Sequence, residues 1–221
     1  MKSLICMILW LLFQQFVEIN CQMTPFKNER NSHSSTLIDN KLYILDGRRN
    51  GSMNNIIRKG FFYLDVSSPF NTEELPWHDL SSIDNVPSHY GAASVKGGAG
   101  NDTLFLYGGS MTDNTVALVY TYNPQSNSWS IPKITGNNTV RKYDFTGIID
   151  RNGKMYLWGG VEIISGKDLN DMFILDTVNF RWEPAGSLIN VPTPREVYGA
   201  VLLPENNIIY MGKQVILVII I

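Results

Sequence analysis

An all-β fold, assembled from a block of roughly fifty residues repeated along the chain, is predicted by three observations. Apolar hexamers that end at glycine recur: LYILDG at 42–47, LFLYGG at 104–109, MYLWGG at 155–160 and, with its last glycine replaced, IIYMGK at 208–213. Behind the first three, an apolar run closes on an acid or amide (FFYLD at Asp65, LVYTYN at Asn123, MFILD at Asp176), and a tryptophan follows at 77, 129 and 182. The runs are short and rich in Val, Ile, Tyr and Phe, with Gly, Asn, Asp and Pro at their borders, and none keeps a helical apolar period.

Each block holds four strand-sized pieces. The first is a run ahead of the hexamer: SSTLI from Ser34, YGAASV from Tyr90, DFTGII from Asp144 and YGAVLL from Tyr198. The hexamer, the run closing on Asp or Asn, and the tryptophan segment are the other three. Hexamer ends at 47, 109, 160 and 213 are spaced by 62, 51 and 53, and the tryptophans by 52 and 53. From Asn123 to Trp129 and from Asp176 to Trp182 the step is six residues; from Asp65 to Trp77 it is twelve, so SSPFNTEEL reads as a loop insertion. The expected blocks are 31–80, 88–132, 143–185 and a partial fourth at 195–213, within a repeat region of 30–213.

The ends read differently. Residues 1–22 carry Lys2 and then ten apolar residues at 4–13, interrupted by Gln14 and Gln15. A membrane span needs about 20 apolar residues, so this segment is expected to be a cleaved secretory signal, which removes both cysteines, Cys6 and Cys21. Sequons at Asn50, Asn101 and Asn137 offer glycosylation sites, although chance alone yields about as many such triplets. The tail at 214–221, QVILVIII, has no charge and no proline. It is expected to be an aggregation-prone truncation product whose trimming improves solubility.

Composition bounds the function. The chain has 221 residues, 44% hydrophobic and 17% charged, with a net charge of −2 and pI near 5.9. It is therefore globular and has no electrostatic footprint for nucleic acid. No Gly-x-Ser-x-Gly elbow, phosphate-cradling loop ahead of a helix, or His-Glu-x-x-His pair is present.

Glycine pair, Asp or Asn, and tryptophan in fixed order, together with PREVYGAV from Pro194, resemble the kelch-repeat family over nearly the whole region after residue 22. The resemblance implies a kelch-type β-propeller with about three blades and a partial fourth, an incomplete ring. Its structural repeat positions would be Gly47, Gly108, Gly109, Gly159, Gly160 and Gly212, with Asp65, Asn123 and Asp176 and with Trp77, Trp129 and Trp182. Asp46 and Lys213 depart from the glycine pattern. Trp129, Trp182, Tyr107, Trp158 and Tyr210 are read as blade packing.

The family includes galactose oxidase, a copper radical enzyme that uses histidine and tyrosine ligands and a cysteine linked to tyrosine. Here only His33, His78 and His89 are available, without metal-ligand spacing, and no cysteine follows residue 22. The expectation is a non-catalytic secreted or cell-surface interaction scaffold with no cofactor and a protein partner, carbohydrate being admitted. The alternative is a fragment of a galactose-oxidase-like or carbohydrate-active propeller enzyme whose catalytic residues lie outside this chain. The loops behind the three hexamers would gather Arg48, Arg49, Asp113, Lys167 and Asp168 on one surface of mixed sign.

Overall fold

The computed structural model describes residues 30–49, 60–111, 117–185, 193–212 and 216–220, and these form only strands, turns and loops. Residues 1–22, Asn50 and Asp113 lie outside the described residues.

The chain opens with β1 (Arg30–Asn31), β2 (Ser34–Ile38), β3 (Lys41–Leu45), β4 (Arg48–Arg49), β5 (Phe61–Asp65) and β6 (Trp77–Asp79). It continues through β7 (Ala93–Gly97), β8 (Thr103–Tyr107), β9 (Val119–Asn123) and β10 (Ser128–Ser130). Next come β11 (Lys142–Tyr143), β12 (Gly147–Ile149), β13 (Lys154–Trp158), β14 (Val161–Glu162), β15 (Met172–Asp176) and β16 (Arg181–Glu183). The last three are β17 (Gly199–Leu202), β18 (Asn207–Met211) and β19 (Ile216–Ile220).

Three antiparallel four-stranded sheets result, β2-β3-β5-β6, β7-β8-β9-β10 and β12-β13-β15-β16, followed by a three-stranded sheet, β17-β18-β19. Their first strands touch in the order β2, β7, β12, β17 and so line an axis. Among the described residues the array does not close into a ring.

Each second strand is covered on both faces. On β8, Leu104 and Leu106 pack toward the first sheet while Phe105 and Tyr107 pack toward the third, and all four are fully buried. That is why these hexamers read as continuous apolar runs rather than as alternating ones. The tryptophans bind sheet to sheet: Trp129 lies 5.2 Å from Phe61 and Trp182 lies 5.6 Å from Tyr107, each ring reaching the preceding sheet. Trp77 packs on Phe62 of its own sheet at 5.4 Å, and among the described residues no sheet precedes the first.

Asp65, Asn123 and Asp176 cap the turn after the third strand. The Oδ1 of each accepts the N–H two residues on, from Ser67, Gln125 and Val178 at 2.8, 2.8 and 3.0 Å.

Residues 216–220 of the aliphatic tail are not a loose end. Every one of them pairs with β18, from Ile216↔Met211 to Ile220↔Asn207. Trimming 214–221 would remove one of the two strands paired with β18 and leave the backbone groups on that edge unpaired, which works against the expected gain in solubility. The trailing face of this sheet still shows apolar side chains, with Met211 46% exposed, as the leading face of the first does at Leu37, 52% exposed.

Candidate functional site

Strand polarity places the start of β2, β7, β12 and β17 and the end of β3, β8, β13 and β18 at one end of the array. The glycine pairs sit there. A Cβ on Gly108 would stand 2.5 Å from the Lys142 carbonyl of the next sheet, and φ is +71°. This close approach supports a latch used three times: the N–H of Gly47, Gly109 and Gly160 donates to the carbonyl of His89, Lys142 and Arg195 at 3.1, 2.9 and 3.0 Å. A second latch runs nearer the axis. Gly91 N–H donates to Ser32 O, Asp144 N–H to Gly91 O and Val197 N–H to Asp144 O at 2.7, 2.8 and 2.9 Å, and all four residues have positive φ.

In the first sheet Asp46 takes the left-handed position of the first glycine, with φ +41°. Its carboxylate accepts the N–H of Gly60 at 2.7 Å and of the next sheet's His89 at 3.1 Å. His89 in turn has Nε2 3.3 Å from Ser34 Oγ, and its Nδ1 lies 3.5 Å from Asp46 Oδ2 and 3.0 Å from Pro87 O. Serine, histidine and aspartate thus stand in the order of a hydrolytic triad. All three are buried between the first two sheets, so no substrate reaches the serine, and the constellation serves as a polar node.

Burial pushes the Asp46 carboxyl up to about 8 and the His89 imidazole down to about 4. The folded state therefore holds the Asp46 proton more tightly than the unfolded chain does, and stability drains as pH rises toward 8. His89 acts oppositely, its contribution being lost as pH falls from its ordinary value of 6.5 toward 4. Below about 6.5 the two trends oppose each other; between about 6.5 and 8 only the Asp46 loss remains. Asp46→Asn, which keeps one of the two acceptor oxygens, is expected to flatten the fall in melting temperature over that window. A fall that persists in the variant would assign it elsewhere.

The second and third sheets bury a lysine between them. Lys142 Nζ donates to Leu157 O at 2.9 Å and to Asp171 Oδ1 at 3.0 Å, and burial lowers its pKa to about 8. His33 is exposed, and partial desolvation with the nearby Arg30 lowers its pKa. His78 stacks on Tyr63 at 4.5 Å. Among the described residues no group of three or more His, Cys, Asp or Glu is placed to hold a metal.

The loops behind the hexamers emerge at this end. Arg48 is tied down, with Nε donating to Asn31 Oδ1 at 2.9 Å and its guanidinium over the Tyr90 ring at 4.9 Å, whereas Arg49 is exposed. Lys167 and Asp168 are exposed on the third sheet's loop. That loop is braced by Glu162 N–H to Lys167 O, Gly166 N–H to Glu162 O and Leu169 N–H to Gly160 O, at 3.0, 2.8 and 2.8 Å. Its tip presents Ile164, 94% exposed.

Between the first and third loops lie Asp144 and Glu196. Burial, with the charges of Asp168 and Asp144, raises Glu196; burial also raises Asp144, against the pull of Arg48. Arg48 and Asp168 thus share one field through two carboxylates absent from the sequence-level set. Val197, a β-branched residue at φ +46° and 74% exposed, was missed as well. Nothing in the strand-like runs DFTGII and YGAVLL marks Asp144, which opens the first, or Val197, which precedes the second, as a residue of this mouth. Asn31, Ser32, His33, Asp144, Phe145 and Tyr198 line the axial mouth here, a cavity of about 450 Å³.

Comparison with known proteins agrees with this architecture. The KLHDC2/KLHL20/DRC7 Kelch-repeats domain matches residues 32–215. Kelch domain-containing protein 3 from Rattus norvegicus and from Mus musculus is 25% identical over 195 residues, covering 83% of this chain and 48% of the relative. Acyl-CoA-binding domain-containing protein 6 from Oryza sativa subsp. japonica is 23% identical over 201 residues, covering 83% of this chain and 27% of the relative. The chain spans about half the length of the first of these relatives, or less. With blade-like sheets, glycine latches and interleaved tryptophans all in place, the chain belongs to the kelch-repeat family of the KLHDC2/KLHL20/DRC7 type.

Proposed function

We propose that the chain is a non-catalytic protein-interaction scaffold of the secretory pathway, working outside the cell or at its surface. The observation that carries the reading is the braced loop whose tip exposes Ile164 beside Lys167 and Asp168. A preorganised aliphatic tip costs little ordering entropy on contact, and a rim of mixed sign suits a protein more than a polyanion. A protein is favoured over a carbohydrate because the protruding group is aliphatic rather than a flat aromatic platform. The secretory part rests on residues 1–22 and on Asn101 and Asn137, both exposed and able to accept a glycan. Among the described residues no helix is long and apolar enough to cross a membrane.

Affinity capture from the medium and surface of expressing cells tests both parts. The wild-type chain should begin near Gln22, carry no thiol and retain a defined protein. A variant combining Arg49→Glu, Ile164→Asp and Asp168→Lys should lose that protein at an unchanged melting temperature. Equal retention by both chains overturns the loop assignment. A product that keeps Met1 or a free thiol overturns the secretory one.

A further inference from the structure

The outer strands β10 and β16 hold matching positions in successive sheets, for Ser128 pairs with Asn123 and Trp129 with Tyr122 as Arg181 pairs with Asp176 and Trp182 with Leu175. Their edges are treated differently. Against β16, the linker from the preceding sheet lays down Ile134, Thr135 and Gly136, which bridge to it at Thr135. Thr135 forms a parallel bridge with Arg181, donating its N–H to Phe180 O at 2.9 Å and accepting from Trp182 N–H at 2.9 Å. Ile134 packs with Trp182 against the core, and Gly136, at φ +84°, lies against the Trp182 backbone, where a Cβ would stand 3.0 Å from Trp182 O and 3.1 Å from its Cβ.

Against β10, the corresponding linker curls into turns instead, Ile83 N–H donating to Leu80 O at 3.1 Å. Between that linker and the strand lies a cavity of about 490 Å³ lined by Val86, Pro87, Tyr120, Trp129 and Ile131. Trp129 is buried, yet its indole N–H has no acceptor among the described residues. Ile131 stands on the rim, 64% exposed. The shared register turns the Trp129 backbone N–H outward, as it does that of Trp182.

We propose that the outer edge of the second sheet is a docking site for an extended peptide segment of the form aliphatic-Thr-Gly, supplied by a partner protein and added parallel to β10. The chain supplies the template in its own linker. The aliphatic side chain fills the Val86–Ile131 cavity, and the central residue exchanges backbone hydrogen bonds with Asn127 O and Trp129 N–H. The glycine lies on Trp129, as Gly136 lies on Trp182. Backbone bonds give such an added strand its affinity, and the pocket gives its selectivity. The surface lies on the outer rim, so it does not depend on the loop assignment above.

The test is titration of the full chain with the blocked hexapeptide Lys-Ile-Thr-Gly-Asn-Asn, the sequence of residues 133–138, read by amide hydrogen exchange. Saturable binding that slows exchange at Trp129, with Trp182 unchanged, is the expected result. A peptide with valine in place of glycine should bind at least about tenfold more weakly, as should the wild-type peptide to Ile131→Asp. The valine peptide leaves the protein untouched, so it stays informative even if Ile131→Asp disturbs the fold. The proposal is overturned by absence of saturable binding, by equal affinity of the valine peptide, or by protection at Trp182 rather than Trp129. Self-association of the chain that Ile131→Asp abolishes would assign the edge to a second copy and overturn it too.

Discussion

Gly108→Val should lower the melting temperature by about 10 °C, the largest effect of any single substitution in the glycine pairs. Two costs add. A valine at φ +71° is strained by about 1–3 kcal/mol, and its Cβ would stand 2.5 Å from the Lys142 carbonyl, a backbone atom that cannot swing aside. Relieving that contact pulls the third sheet off the second and weakens the Gly109 N–H to Lys142 O bond. Together they reach about 3–4 kcal/mol, and in a chain of this size each kcal/mol moves the midpoint by about 2–4 °C. Gly166→Ala is the matched control: φ is +63°, but nothing lies within 4 Å of the added methyl, so only about 1 kcal/mol is expected. Calorimetry of the two variants separates torsional strain from lost sheet-to-sheet contact. Equal shifts would remove the latch as the reason for the glycine.

Trp129→Ala should cost about 3–5 kcal/mol, read as a lower urea midpoint, while Trp77→Ala at the matching position should cost less than half of that. Trp129 is buried against Phe61 and Tyr122, at 5.2 Å from each, and stitches the first two sheets together. Trp77 is half-buried and meets Phe62 of its own sheet. Equal costs would mean that these tryptophans stabilise their own sheets rather than the joints between them.

The same pair shows what could be read from the chain beforehand. Repeat order gave the sheets and the positions of the Asp, Asn and Trp residues, because each is a local pattern that returns at a fixed spacing; the Asx turns at Asp65, Asn123 and Asp176 came only with the structure. It could not rank Trp77 below Trp129, since that depends on which side of a sheet has a neighbour. An uncharged aliphatic run such as that at 214–221 carries no mark of a partner strand, and only the structure shows residues 216–220 paired with β18. For the candidate site, repeat position singled out Arg48, Arg49, Lys167 and Asp168. Asp144, Glu196 and Val197 escaped notice, because only the close approach of successive sheets brings their segments to the same mouth. Ile164 escaped because a lone aliphatic in a polar loop carries no signature until its loop is seen to be braced.

The chain of backbone hydrogen bonds through Ser32, Gly91, Asp144 and Val197 has a mechanical consequence. Its links are short and sit beside the axis, whereas toward the rim the described sheets meet mainly through aromatic rings, with one backbone bridge, Thr135 to β16. Thermal breathing must then resemble the opening of a hand fan, pivoting at the axis and spreading at the rim. A partner gripping the axial mouth would feel a stiff hub, and one lying along an outer edge would feel a compliant margin that yields to admit it.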